Sequence, residues 1–173
     1  IQFAFANNYS MKIHCNIISS SFLLSNTYDW ISIEDYSKHP IHLYAAKYGH
    51  VEILQWAKDN GMIKGYNSCC DNAAAYGHLN VLQWARANGY MWCVDVCHHA
   101  AQNGHLHILQ WARANGCPWN SWTCVCAAEY GHLDILQWAL ANGCEYNNLV
   151  FMRAEYEPYS NIIQWLLDNG YSK

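Results

Sequence analysis

The sequence predicts an all-α solenoid of about five short helical units with degenerate ends. Three observations predict it. First, one phrase recurs in phase. It reads Gly131-His132-Leu133-Asp134-Ile135-Leu136-Gln137-Trp138-Ala139, and it returns at 49–57, 77–85 and 104–112. A worn copy runs from Pro158 to Leu166. Second, the period is fixed. Trp56, Trp84, Trp111, Trp138 and Trp165 stand 28, 27, 27 and 27 residues apart, and Gly61, Gly89, Gly116, Gly143 and Gly170 keep those intervals. Such a period marks stacked units that bury a core only against their neighbours. Third, Leu133, Leu136 and Leu140 fall at helical spacing, and Ile135 and Trp138 widen that apolar face.

Residues 1–34 do not carry the phrase. Met11 to Leu24 is apolar at mixed spacing, and Trp30 lies 26 residues before Trp56. This segment reads as an N-terminal cap or degenerate repeat, because an array must cover the open face of its first unit. A partner-recruiting segment is the alternative. The array itself spans 35–170, in units 35–61, 62–89, 90–116, 117–143 and 144–170, with 171–173 as a tail. In the first unit, Ile41 to Tyr48 is a short helix, Gly49-His50 a turn and Val51 to Asn60 a second helix. The plan is plainest in 117–143. Pro118 cannot continue a helix and follows Gly116. Asn120 is a good N-cap, with Trp119 before it able to pack on Cys124 as a hydrophobic staple. Ser121 to Tyr130 is the first helix, with small Ala127-Ala128 allowing close approach, and Gly131 stops it. The last unit departs from the plan: Glu155 takes the second alanine position and Pro158 the turn glycine, as suits a C-terminal cap.

Composition agrees with a folded array. The chain has 173 residues, 53% hydrophobic and 13% charged, which is globular rather than disordered. A net charge of -4 leaves no basic excess for phosphates, so nucleic acid is not an expected partner. No run of about 18 apolar residues exists to span a membrane. Residues 1–10 lack the pattern of a signal peptide, and a start at Ile1 suggests processing or a fragment. The nine cysteines follow the repeat. Cys70, Cys97 and Cys124 each precede a repeat tryptophan by 14 residues, and Cys117 and Cys144 each follow a closing glycine. Neighbouring helical units sit roughly 10 Å apart, too far for a relaxed bridge. Buried free thiols in a reducing compartment are therefore expected.

The stretch Ala127-Ala128-Glu129-Tyr130-Gly131-His132-Leu133-Asp134-Ile135-Leu136 resembles the heart of the ankyrin repeat, Ala-Ala-x-x-Gly-His-x-x-x-Val. Ala45-Ala46-Lys47-Tyr48-Gly49-His50, Ala74-Ala75-Tyr76-Gly77-His78 and Ala100-Ala101-Gln102-Asn103-Gly104-His105 match it in turn. The usual ankyrin unit has about 33 residues. The shortfall lies between a closing glycine and the next first helix, where the family carries its projecting hairpin, so shortened hairpin loops are expected. The family's Thr-Pro-Leu-His start is also missing. The phrase Leu-Gln-Trp-Ala-Arg-Ala-Asn-Gly at 82–89 and 109–116 is similar to short ankyrin repeats of giant DNA viruses of amoebae. The resemblance implies a protein-binding scaffold without shared catalytic residues, using the first helices once the hairpins are short.

Each chemical candidate has a plainer alternative. His50, His78, His105 and His132 form a column at the Gly-His turn. They suit backbone hydrogen bonding better than one metal site, since successive turns lie a full unit apart. Cys93-x-x-x-Cys97-His98-His99 is the sharpest zinc candidate, but Cys97 belongs to the buried column and no second pair is near in sequence. No metal and no cofactor are expected. The phased tryptophans read as core, and the glutamines before them as a ladder from unit to unit. No nucleophile elbow, P-loop, dinucleotide fingerprint or H-E-x-x-H occurs, so no enzyme is expected.

The variable positions carry the functional expectation. Before each turn glycine stand Lys47-Tyr48, Tyr76, Gln102-Asn103 and Glu129-Tyr130, at the exposed ends of first helices. In the linkers Trp92, Trp119 and Tyr146 share a column, with Tyr66 close to it. Tyrosine, tryptophan and arginine commonly anchor interfaces, although staple packing also accounts for the linker aromatics. The resulting expectation is a non-enzymatic, intracellular scaffold of viral origin that binds a host protein as a monomer. A self-assembling virion component and an adaptor for host ubiquitin machinery are the alternatives.

Overall fold

The computed structural model describes residues 41–63, 68–156 and 160–172. The expectations for 1–34, Tyr66 and Pro158 lie outside the described residues. Ten helices lie among the described residues, with no strand. They come as five pairs: α1 (Ile41–Tyr48) and α2 (Val51–Asp59), α3 (Ser68–Ala75) and α4 (Leu79–Ala87), α5 (Val94–Gln102) and α6 (Leu106–Ala114), α7 (Ser121–Glu129) and α8 (Leu133–Ala141), α9 (Leu149–Tyr156) and α10 (Ser160–Asp168). The expected helix limits in 35–61 and 117–143 hold to within one residue.

Every short helix needs its end groups satisfied, and the repeat supplies the partners. Gly131 has φ 82° and terminates α7. Beyond it the His132 amide donates to the Ala127 carbonyl at 2.8 Å and the Gly131 amide to Ala128 at 3.4 Å. This is the paired closure in which a left-handed glycine folds the chain back over the last carbonyls. His50, His78 and His105 close α1, α3 and α5 the same way, on Ala45, Ala73 and Ala100. Second helices end likewise, with Cys117 on Ala112 and Cys144 on Ala139. The asparagine before each closing glycine adds a side-chain bond. The Nδ2 groups of Asn60, Asn88, Asn115, Asn142 and Asn169 each donate to the carbonyl of the tryptophan four residues back, at 2.8 Å. At the opposite end, Asn120 caps α7 through Oδ1, which accepts the Trp122 amide at 3.0 Å.

Packing runs from unit to unit. First helices stack in a row, α3 on α5, α5 on α7 and α7 on α9; the second helices α4, α6, α8 and α10 pack on their own first helices, and α2 on α4. The row is tight because its inner faces carry alanine and cysteine. Ala73-Ala74, Ala100-Ala101, Ala127-Ala128 and Ala154 are fully buried, as are Cys70, Cys97 and Cys124. The buried alanine pair of the second unit is Ala73-Ala74 and not Ala74-Ala75, since Ala75 turns toward solvent. Second helices contribute Ile53-Leu54, Val81-Leu82, Ile108-Leu109 and Ile135-Leu136, all fully buried, at about 2 kcal/mol or more per side chain.

Two expectations about this core change. The buried face of α8 centres on Ile135, Leu136 and Ala139, while Leu133 and Leu140 are only half-buried. The repeat tryptophans are not core as a column. Trp84 is buried, but Trp56, Trp111, Trp138 and Trp165 are half-buried. Trp111, Trp138 and Trp165 pack on Trp92, Trp119 and Tyr171 instead.

Candidate interaction surface

Register between units is set at the Gly-His turn. The imidazole of His78 reaches back one unit, and its Nε2 lies 2.8 Å from the Lys47 carbonyl. His105 makes the same bond to Ala75 at 3.2 Å, and His132 to Gln102 at 3.2 Å. Since a carbonyl only accepts, Nε2–H donates in each case. The ring also covers the preceding turn: a Cβ on Gly104 would lie 2.7 Å from His132 Cε1. The histidine column is thus a line of joints between units. It presents the ends of successive first helices side by side, which is what makes them one surface.

Each expected residue can be placed on that surface. Lys47 ends α1 with its ammonium 4.8 Å from the Tyr76 ring centroid and 5.5 Å from that of Tyr48. A hydrogen bond to Tyr76, followed by the neighbouring Tyr48 and Tyr76 charges, raises the Lys47 pKa. Tyr76 is 48% exposed and Tyr130 46%, each just beyond the last residue of its helix, whereas Tyr48 is half-buried. Gln102 is half-buried and gives its carbonyl to His132; Asn103 is exposed and donates to the His99 carbonyl at 2.9 Å. Glu129 receives Arg153 Nη1 from the next unit at 3.3 Å. Lys47, Tyr48 and Tyr76 therefore meet, and Glu129 is joined to the next unit.

The structure adds residues to that face which the sequence reading missed. Tyr44 on α1, Trp122 on α7 and Met152 on α9 are also exposed. The missed signal was position: Tyr44 stands five residues before its turn glycine and Trp122 nine before, on the same side as the residues ending each first helix. Asp71 on α3 is half-buried among them, with its carboxyl pushed above the usual range by burial; His99 opposes that shift and Asp95 adds to it.

The linker aromatics sit differently. Trp92 packs edge-on against Trp111 with centroids 5.6 Å apart, and the Arg86 guanidinium lies 4.4 Å from its ring centroid. Trp119 repeats this with Trp138 at 5.8 Å and Arg113 at 4.2 Å. Tyr146 lies 4.7 Å from the Tyr171 ring, and its hydroxyl donates to the Ser172 carbonyl at 3.0 Å. Trp119, expected as a staple on Cys124, makes its ring contact with Trp138. The glutamine ladder is replaced in the same region: Trp84 Nε1 donates to Gln55 Oε1 at 2.8 Å, so a glutamine of one unit meets the tryptophan of the next.

The zinc candidate is dispersed. Cys97 is fully buried, the Cys93 thiol lies against Asp95 at 3.2 Å, and His98 binds Asn120 at 2.9 Å. No three His, Cys, Asp or Glu groups among the described residues are placed to hold a metal ion. No described helix is long and apolar enough to cross a membrane.

Paired helices, Gly-His turns and alanine-lined stacking describe a known architecture. One family model of ankyrin repeats matches residues 97–173 and a second matches residues 70–113. Residues 70–173 of the chain are ankyrin repeats. The matches together run from 70 to the end, and the pair α1–α2 carries the same turn at Gly49-His50. No curated protein is detectably similar to the chain. Ankyrin repeats generally mediate protein–protein interaction, and the family is typically non-enzymatic.

Proposed function

We propose that this chain is a non-enzymatic scaffold that binds a protein partner on the exposed ends of its first helices. One observation carries the reading. Of the seven large apolar side chains exposed among the described residues, five (Tyr44, Tyr76, Trp122, Tyr130 and Met152) belong to first helices or their ends, while Met91 lies in a linker and Leu167 on α10. Apolar side chains gathered on one face mark interaction sites, and tyrosine and tryptophan are enriched among the residues that anchor interfaces. Lys47, Tyr48, Gln102, Asn103 and Glu129 complete the surface with hydrogen-bonding and charged groups. Trp92, Trp119 and Tyr146 flank it, with their rings already engaged in packing. On the same footing, the Leu-Gln-Trp-Ala-Arg-Ala-Asn-Gly phrase supports a giant-virus source and a host protein as the partner.

The test is capture from host cytosol by this chain beside a variant carrying Tyr48→Ser, Tyr76→Ser and Tyr130→Ser, both verified as folded by circular dichroism. The reading predicts a partner retained by the first and reduced at least tenfold on the second. Equal capture moves the site to the linkers. An absence of capture by folded protein, with light-scattering mass rising with concentration, points to the self-assembling alternative.

A further inference from the structure

Two junctions between units hold a pair of thiols that the repeat plan does not require. The residue after each closing glycine lies over the first helix of the unit before it. At two junctions both positions are cysteine: Cys97 with Cys117, and Cys124 with Cys144. At the flanking junctions the corresponding residues are Cys70 with Tyr90 and Phe151 with Tyr171. The geometry is the same at both cysteine junctions. Cys144 Sγ lies 3.2 Å from the carbonyl of Asn120, the N-cap residue one turn before Cys124. Cys117 Sγ lies 3.4 Å from the carbonyl of Cys93, one turn before Cys97. Each linker sulfur therefore reaches the turn of the first helix that carries the buried cysteine of its pair. The described cysteines are free thiols as expected, and at these two junctions the linker, not a helix, carries the second sulfur.

We propose that Cys124 and Cys144 form a redox-active dithiol, closing to a disulfide by exchange with a small-molecule disulfide and bolting unit 117–143 to the linker that follows it. The two sulfurs have unequal roles. Cys144 is 5% exposed and lies on the linker, whereas Cys124 is fully buried in α7. The hydrogen bond from Cys124 holds the Cys144 thiol below its ordinary value, and the same bond, followed by burial, raises that of Cys124. Cys144 is thus the attacking thiolate and Cys124 the resolving thiol. Cys144 gives up its proton and attacks one sulfur of the small disulfide, forming a mixed disulfide and releasing one small thiolate, which takes a proton. Cys124 then gives up its proton and attacks the Cys144 sulfur, releasing the second small thiolate, which is protonated in turn. The protein loses two electrons and two protons, and the small disulfide becomes two thiols. Cys97 and Cys117 are both fully buried, so their junction closes later.

The experiment incubates the folded chain with oxidised glutathione, quenches with an alkylating agent and maps peptides by mass at successive times. The expected result is a Cys124–Cys144 bridge before any other, reversed by dithiothreitol, with Tm raised by roughly 5–10 °C in the bridged form. Cys144→Ala, checked for folding by circular dichroism, abolishes that bridge; Cys117→Ala leaves its rate within about twofold of the parent. Three results would overturn the proposal: a stable glutathione adduct at Cys144 without bridging, earlier bridging at another pair, or no bridging while the chain remains folded.

Discussion

At the scale of the residue, the Gly-His turn does two jobs with two side chains. Gly104 holds φ 77°, a conformation that costs an ordinary residue about 1–2 kcal/mol. It also leaves room for the His132 ring, which a Cβ would strike at 2.7 Å. Both costs fall on Gly104→Ala, which is expected to lose roughly 2–4 kcal/mol in urea denaturation. His105→Ala loses only its hydrogen bond to Ala75 and some packing, about 1–2 kcal/mol. His105, within that column, makes stability depend on pH. Burial, opposed by the bond to Ala75, holds His105 below 6.5, and burial does the same at His42. The unfolded chain then binds protons first as pH falls. Stability from these groups is full above 6.5 and is lost as pH drops through their lowered folded values. Denaturation midpoints are therefore expected to be lower at pH 5 than at pH 7.5, with His105→Gln narrowing the difference.

The linker is the element where this chain departs most from the longer repeats it resembles. With no strand in the described linkers, a few residues must span from one second helix to the next first helix and still cover the half-buried tryptophan. In 115–120 this is done by stacking: Arg113 lies over Trp119, Trp119 meets Trp138 edge-on, and Arg113 Nη1 donates to the Cys117 carbonyl. Arg113→Ala is expected to cost about 1–2 kcal/mol, from a cation–π contact and a hydrogen bond. Arg113→Lys keeps the charge but not the planar stack, and is expected to recover less than half of that loss by thermal denaturation. The linker also shows where reading a sequence stops. The turn glycines, the Asn120 cap and the helix limits are local signals, legible in one unit, and the period is legible by comparing units. The role of Trp138 is not, because periodicity assigns a residue to a helix face without saying what covers that face. Cys144 meeting Cys124, and Gln55 meeting Trp84, depend on the offset between units, which no single unit encodes.

At the scale of the whole array, neighbouring units are coupled chiefly through first-helix stacking, buried Ile-Leu pairs and histidine joints. Each joint aligns the end of one first helix with the next, so residues about 27 apart in sequence become neighbours on one face. Lys47 above Tyr76 and Arg153 on Glu129 are such neighbours. The positions before the turn glycine were legible as a candidate site because they vary within a fixed phrase. Tyr44, Trp122 and Met152 were missed because helical position places them on one side of a first helix without saying whether a neighbour covers that side. The claim that these helix ends form the partner-binding face is tested most directly by site-specific photo-cross-linking. A photo-reactive phenylalanine analogue replaces Tyr76 or Tyr130 on that face, and His107 or Asp134 on the exposed side of the second helices, in the presence of the captured partner. Cross-links from 76 and 130 with none from 107 and 134 are the predicted result; cross-links confined to 107 and 134 would contradict it.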